Sequence, residues 1–365
     1  MKIGILGARG IPNWHGGFEQ FAERVSSALV DKGHEVFVYS STLNSFKEKK
    51  WQGVNVIYCK DWEDKLGTAG QFIYDLNCIK NAGKQNFDIL LHLGYTSDSI
   101  WRKRWPHNAI NIVNMDGLEW KRSKYSRPVQ WFLRRAESWA AQSADHLVAD
   151  STEIKKYLLH TYNRNSTYIP YGADIFTSPD LSLLKHFDLQ PHQYYLSVSR
   201  LEPENNIETI IKGYLESQRE EPLLIVGNPG NRYAGKLMKK YTGKGIRFPG
   251  GVYDKNILNN LRYFSKLHFH GHSVGGTNPS LLEAMACACC IVAHENVFNR
   301  VVLQNDAEYF ASAKDVSNIL NVNLSEETID QRKQKNLEKI RSVYTWDKVI
   351  SDYEQLMREL LRSRG

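Results

Sequence analysis

The chain has 365 residues, 42% of them hydrophobic, with five cysteines and a formal net charge of +7 at pH 7. That length exceeds one typical hydrophobic core and the apolar content is enough for two, so a globular two-domain protein is expected. No run approaches the ~18 consecutive apolar residues of a membrane-spanning helix, and the opening "MKIGILGARG" lacks a secretory leader profile, which points to the cytoplasm.

The first element is "KIGILG", a short apolar run closing on Gly7 and Gly10. From Gly17 to Lys32, residues Phe18, Phe21, Ala22, Val25, Ala28 and Leu29 recur at helical spacing, so strand, glycine loop and helix follow one another. "GHEVFVYSS", "VNVIYC", "FDILLHLG" and "AINIVNM" are further strands, with helical stretches between several of them. Such alternation predicts a parallel, doubly wound sheet. After "ADHLVADS" and "TYIPYG" the pattern restarts at "YYLSVSR" and continues through "PLLIVG", "GIRFPG", "LHFHGH" and "CIVAH". Two successive Rossmann-like α/β units are therefore expected, with the linker between Pro170 and His192. A last helix from Trp346 to Leu361 is read from Val349, Ile350, Tyr353, Leu356, Met357 and Leu360.

Between Trp101 and Arg135 the basic residues Arg102, Lys103, Arg104, Lys121, Arg122, Lys124, Arg127, Arg134 and Arg135 are interleaved with Trp101, Trp105, Trp120, Trp131 and Phe132. An anionic membrane surface suits that mixture, a nucleic-acid groove would use the same ingredients, and a solvated basic face over core tryptophans is the plain reading. Cys59, Cys78, Cys287, Cys289 and Cys290 have spacing that suits neither a zinc site nor a disulfide framework, so buried, reduced thiols are expected. "HFHGH" puts His268, His270 and His272 on one face of a strand, but no neighbouring carboxylate completes a metal set.

Two stretches carry chemistry. "GILGARG" invites an NAD-dependent oxidoreductase or a nucleotide-sugar epimerase, yet its glycines are spaced three and three. The second strand, moreover, ends in Tyr39, Ser40 and Ser41 without the acidic residue that would hold a ribose. In "SVGGTNPSLLEAMA", Gly275 and Gly276 allow close backbone approach, Thr277 and Asn278 suit an N-cap, and Pro279 suits a first helical turn. Free N–H groups and the helix dipole at such a start favour a phosphate or diphosphate.

Together these parts resemble the retaining GT-B glycosyltransferases of family 4. The resemblance runs through "GGFEQFAERVSSALVDKGHEVFVYS", "VADSTEIKKYL", "YIPYGAD", "SVSRLEPENNIETII" and "SVGGTNPSLLEAMACACCIVA", and so covers essentially the whole chain. "DGLEWKR", "RLEPENN" and "HGHSVGGTNPSLLEA" are similar to the wording of a bacterial subgroup associated with rhamnosyl transfer in polysaccharide assembly. The resemblance implies α/β GT-B architecture, two Rossmann-like domains facing across a cleft. It divides the chain into an acceptor-side domain at 1–175, a donor domain at 176–345 and a helix at 346–365 packing back on the first. It implies a UDP- or dTDP-linked sugar donor, a glycan or polyprenyl-diphosphate-linked acceptor, no cofactor, no catalytic metal and no nucleic acid. A cytoplasmic protein, peripheral at the inner face of the cell membrane through 101–135, would meet such an acceptor.

For single residues the resemblance implies that Gly275, Gly276 and Thr277 offer N–H groups to the diphosphate and Arg200 a fixed cation. Glu283 would hold the ribose, and Gly16 and Gly17 would bring backbone over the phosphates. The usual first glutamate falls at Gly275 and the usual phosphate-binding lysine at Asn205, so donor contacts are expected to shift to backbone and to Asn278 or His272, with Asn205 itself still counted among the donor-binding residues. Asp116 stands where many relatives carry a histidine facing the sugar, and with Arg200 and Glu283 it completes the catalytic set. Its carboxylate would orient the acceptor hydroxyl or stabilise an oxocarbenium-like state, while Asp before Gly is also a turn signal.

Overall fold

The computed structural model describes residues 1–13, 16–322 and 324–364. Contacts divide the chain into two units, the first made of Met1–Trp120, Arg127–Tyr171 and Trp346–Gly365, the second of Lys121–Ser126 and Gly172–Thr345. The expected pair of Rossmann-like units is present, each with its own parallel sheet.

In the first unit β1 (Lys2–Leu6), α1 (Gly17–Asp31) and β2 (Glu35–Ser41) form the opening turn, followed by β3 (Lys50–Trp51), β4 (Val54–Cys59), α2 (Glu63–Leu66) and α3 (Thr68–Ala82). Then come β5 (Ile89–Leu93), β6 (Ile110–Asn114), α4 (Arg127–Ser143), β7 (His146–Ala149), α5 (Thr152–Tyr162) and β8 (Thr167–Tyr168). The sheet order is β3-β4-β2-β1-β5-β6-β7-β8, parallel except for the β3–β4 pair. Helices cover both faces of such a sheet, which is why β5 and β6 are buried along their whole length and read as continuous apolar runs. The stripe Phe21, Ala22, Val25 and Leu29 of α1 is fully buried, each large side chain contributing about 1.5–3 kcal/mol.

The second unit contains β9 (Tyr195–Val198), α6 (Ile207–Ser217), β10 (Leu223–Val226), α7 (Arg232–Tyr241), β11 (Ile246–Gly250), α8 (Lys255–Tyr263), β12 (Leu267–His270) and α9 (Pro279–Ala286). It continues through β13 (Ile291–His294), α10 (Val297–Leu303), β14 (Glu308–Phe310), α11 (Ala313–Asn321) and α12 (Glu326–Val343). Its order is β11-β10-β9-β12-β13-β14. One face carries Ile207, Ile210, Ile211 and Tyr214 of α6 against Ile225 and Val292, the other Leu184, Leu196, Leu224 and Leu261. Pro249 is tolerated because β11 is an edge strand.

The chain closes with α13 (Trp346–Arg364), which belongs to the first unit. It runs past its last apolar position because Arg362 and Arg364 suit the negative end of a helix dipole. Tyr353 packs on Phe21 at 5.2 Å between ring centroids and takes a 3.1 Å hydrogen bond from the Asn114 amide, so this helix reaches the end of β6. All five cysteines are buried and free. Among the described residues no helix is long and apolar enough to cross a membrane.

Candidate functional site

In the second sheet β9 lies between β10 and β12, so the strand order reverses there, and ligands of open α/β sheets bind beyond the carboxyl ends of strands at such a point. Beyond the carboxyl end of β9 stands Arg200; beyond that of β12 runs the loop from Gly271 to Asn278 into α9. Local bonds hold both loops. Asn206 Nδ2 donates to the Gly271 carbonyl at 2.8 Å, and the amide N–H and hydroxyl of Ser273 donate to the Glu204 carbonyl at 3.1 and 2.7 Å. A Cβ on Gly271 would stand 2.0 Å from the Asn205 oxygen, so glycine is required for that approach. Asn296 and Asn299 donate to the His272 carbonyl at 3.0 and 3.2 Å from the other side.

The start of α9 is built as the sequence suggests. Asn278 caps it, accepting from the Ser280 N–H at 2.9 Å, and Pro279 occupies the first turn. Gly275 has φ +147°, a torsion that favours glycine, while an added Cβ would meet nothing within 4 Å. Thr277 is buried and Gly276 half-buried. Arg200 is exposed. Asn205 behaves otherwise: it is 3% exposed and its Nδ2 donates to the Arg200 carbonyl at 2.7 Å, so its side chain positions Arg200 instead of presenting itself to a ligand.

Glu283 accepts a 2.7 Å bond from Arg262, whose guanidinium is 2% exposed, whereas the Glu283 side chain is 27% exposed. A buried cation thus stands behind this partly exposed carboxylate. "NNLRYF" reads locally as ordinary helix, so sequence reasoning missed Arg262, along with the loop-holding Asn296 and Asn299.

The histidines do not form one strand face. His268 and His270 lie in β12, but His272 is in the loop with its ring stacked on His270 at 4.4 Å. Burial and the nearby Arg200 and Arg122 push the His272 pKa down to about 3, so it is a neutral ring able to donate one hydrogen bond. Among the described residues no group of three or more His, Cys, Asp or Glu is arranged to hold a metal.

In the first unit Asp116 follows β6 with φ 47°, a left-handed backbone that Asp tolerates and that costs about 1–3 kcal/mol where surroundings impose it. Asn114 Oδ1 accepts from the Asp116 N–H at 3.0 Å and closes the turn that leads into Asp116. The Asp116 carboxylate accepts from the Tyr171 hydroxyl at 3.3 Å. Burial, with Asp116 and Asp150 nearby, pushes the Tyr171 pKa well up, so that phenol stays a donor. Gly16 caps α1 with extended backbone and Gly17 opens the helix; a Cβ on Gly17 would meet nothing within 4 Å. Gly7 and Gly10 are glycines for internal reasons, since added Cβ atoms would fall 2.2 Å from the Leu93 oxygen and 2.1 Å from the Ser40 hydroxyl. They are packing glycines of the first β–α turn.

The basic and aromatic stretch divides. Lys121, Arg122 and Lys124 group with the second unit, and Trp105 is buried with its N–H on Asp98. What remains outside is Trp131, 64% exposed, with Val129, Lys103, Arg104, Arg127, Arg134 and Arg135.

Comparison with known proteins fits this geometry. Residues 1–174 match a domain of unknown function, DUF1972, and residues 186–337 match glycosyl transferases group 1. An uncharacterized glycosyltransferase of Methanocaldococcus jannaschii, MJ1069, is 26% identical over 95% of both chains. Sucrose-phosphate synthase of Thermosynechococcus elongatus superposes with a TM-score of 0.83 at 15% identity, covering 99% of each chain. Anabaena Alr3699/HepE, solved with UDP and glucose, has a TM-score of 0.78 at 16% identity, covering 98% of this chain and all of its own. By the fold of its two units and the domain matched in the second, the chain is a glycosyltransferase of the GT-B architecture.

Proposed function

We propose that this glycosyltransferase moves a sugar, with rhamnose the first candidate, from a UDP- or dTDP-linked donor to a glycan or polyprenyl-diphosphate-linked acceptor in cell-surface polysaccharide assembly. Transfer proceeds with retention of configuration, without cofactor or metal. The observation that carries the reading is the meeting of Arg200 and the glycine loop of α9 at the switch point of the second sheet. When the glycosidic bond breaks, charge grows on the diphosphate, and fixed donors at that position stabilise it more than they stabilise the ground state. Gly275, Gly276 and Thr277 offer N–H groups, Arg200 the cation, His272 and Asn278 neutral polar contacts, and Glu283 a carboxylate for ribose hydroxyls. Asn205 serves through Arg200. Gly16 and Gly17 are donor contacts and Asp116 the acceptor-orienting carboxylate of the first unit.

A thermal-shift comparison tests this. UDP or dTDP should raise the melting temperature and NAD should not, because a ligand that binds only the native state stabilises it. Stabilisation by NAD alone would restore the oxidoreductase or epimerase, which the packing role of Gly7 and Gly10 disfavours.

Peripheral membrane contact is proposed for the outer face of α4 and the turn at 99–104 that packs on it, where Trp131 stands out among Lys103, Arg104 and Arg135. Anionic vesicles should sediment the protein at low salt and release it as ionic strength rises, since exposed charges are screened over about 10 Å at 0.1 M. Trp131→Ser combined with Lys103→Ser and Arg104→Ser should abolish most of the binding. A parent protein that stays in the supernatant at low salt leaves this face merely solvated.

A further inference from the structure

A nucleoside diphosphate brings more negative charge than one guanidinium balances, and Asn205 adds none to Arg200. The segment Lys121–Ser126 supplies more. Although it follows β6 of the first unit in sequence, its contacts are with the second. Ser123 donates to the Glu204 carboxylate at 3.3 Å, and Arg122 approaches the same carboxylate at 3.9 Å with its side chain only 13% exposed. Glu204 is 5% exposed and its carbonyl holds Ser273, so this anchor fastens the segment beside the loop that leads to α9.

We infer that Arg122 and Lys124 are diphosphate-binding residues of the donor site, joining Arg200 and the glycine loop to make a cationic pocket. This rests on the donor reading above and names the cations that complete it.

The electrostatics agree. Burial lowers the Lys124 pKa, and Arg200 and Arg122 lower it further, against partial opposition from Glu204 and Glu202. Arg200 and Arg122 also act together on His272, whose Nδ1 is buried with no hydrogen-bond partner among the described residues. Two guanidiniums act both on a neutral imidazole and on the Lys124 ammonium, with two carboxylates opposing at Lys124, which leaves positive potential where an anion is to sit. Arg122 suits a bidentate grip on phosphate oxygens, and Lys124 acts as a point charge.

Titration calorimetry of the full chain with UDP, dTDP, uridine and thymidine tests the assignment. Arg122→Gln should weaken the diphosphate that the parent prefers about tenfold or more, and Lys124→Gln several-fold, with nucleoside affinity unchanged, as expected for charge-assisted contacts to phosphate. Arg122→Lys should recover part of the loss. A merely structural role for Arg122 would lower the unliganded melting temperature and leave the diphosphate-to-nucleoside ratio alone; that result, or equal diphosphate affinity in parent and variants, overturns the inference. Should Arg122→Gln fold poorly, Lys124→Gln makes the same comparison without touching the Arg122–Glu204 pair. A parent that binds neither diphosphate fails at the donor reading itself, a different outcome from a parent that binds while the variants bind equally well.

Discussion

Asp116→Asn is expected to lower turnover about a hundredfold or more while leaving nucleoside diphosphate affinity within about twofold of the parent, the usual scale for losing a positioned acid or base. The substitution is conservative in every respect but charge. Asparagine tolerates the left-handed backbone at φ 47°, and its Oδ1 can still accept from Tyr171. The Asn114 bond to the backbone N–H at 116 does not involve the altered side chain. Folding should therefore be nearly untouched, and Asp116 is not among the residues proposed to contact the diphosphate. Steady-state rates with a defined acceptor, alongside UDP or dTDP titrations, separate the two quantities. An unchanged turnover number would remove Asp116 from the chemistry and leave its strained backbone without a catalytic account.

The second large effect concerns acid. Burial, together with Arg262 and His270, holds the His268 pKa well below the ordinary 6.5; burial with His272, Arg262 and His294 does the same to His270; and His272 is pushed down to about 3. A histidine whose folded pKa is depressed binds its proton more readily in the unfolded chain. Stability is then complete above about pH 6.5 and falls as pH drops from there toward the folded value, by about 1.4 kcal/mol per unit for each ring. Three such rings imply a loss on the order of 4 kcal/mol between pH 7.5 and 5.5, all of it in the second unit.

His92 of the first unit moves oppositely. Burial alone would depress it, but Asp98, with its carboxylate 2.5 Å from Nδ1, raises it, so its contribution is present at low pH and lost as pH rises. Acidification should consequently melt the second unit first, visible as a separating lower transition in calorimetry. His268→Leu sharpens the test. Both His268 nitrogens are buried without a partner among the described residues, so an apolar replacement should remove roughly a third of the pH slope and raise stability at pH 7.5 by about 1 kcal/mol. A melting temperature flat from pH 7.5 to 5.5 would mean these rings are solvated or paired in solution.

Local pattern determined much of this protein. Short apolar runs marked "KIGIL" and "YLSV", and period-3.6 spacing marked the stripe of α1, because a covered strand is apolar on both faces and a helix buries one stripe whichever neighbours cover it. The bare glycines, capping Asn278 and Pro279 likewise announced a capped helix start behind a glycine loop, since caps and special torsions act within one turn. Tertiary structure decided which strand ends meet. Tyr195 and Leu267 are 72 positions apart, yet β9 and β12 pair there, and only that pairing sets Arg200 beside the glycine loop.

It also sent Lys121–Ser126 to the second unit, gave Glu283 a buried Arg262, turned Asn205 inward and set Asn114 Oδ1 on the Asp116 N–H. Charged and amide side chains carry no periodic signal, and their partners lie in a neighbouring turn, as for Asn205 and Arg200, or as far as 81 positions away, as for Ser123 and Glu204. Whether such a group faces a ligand, a carbonyl or a counter-ion depends on how loops close over a finished sheet, and no local run of residues encodes that.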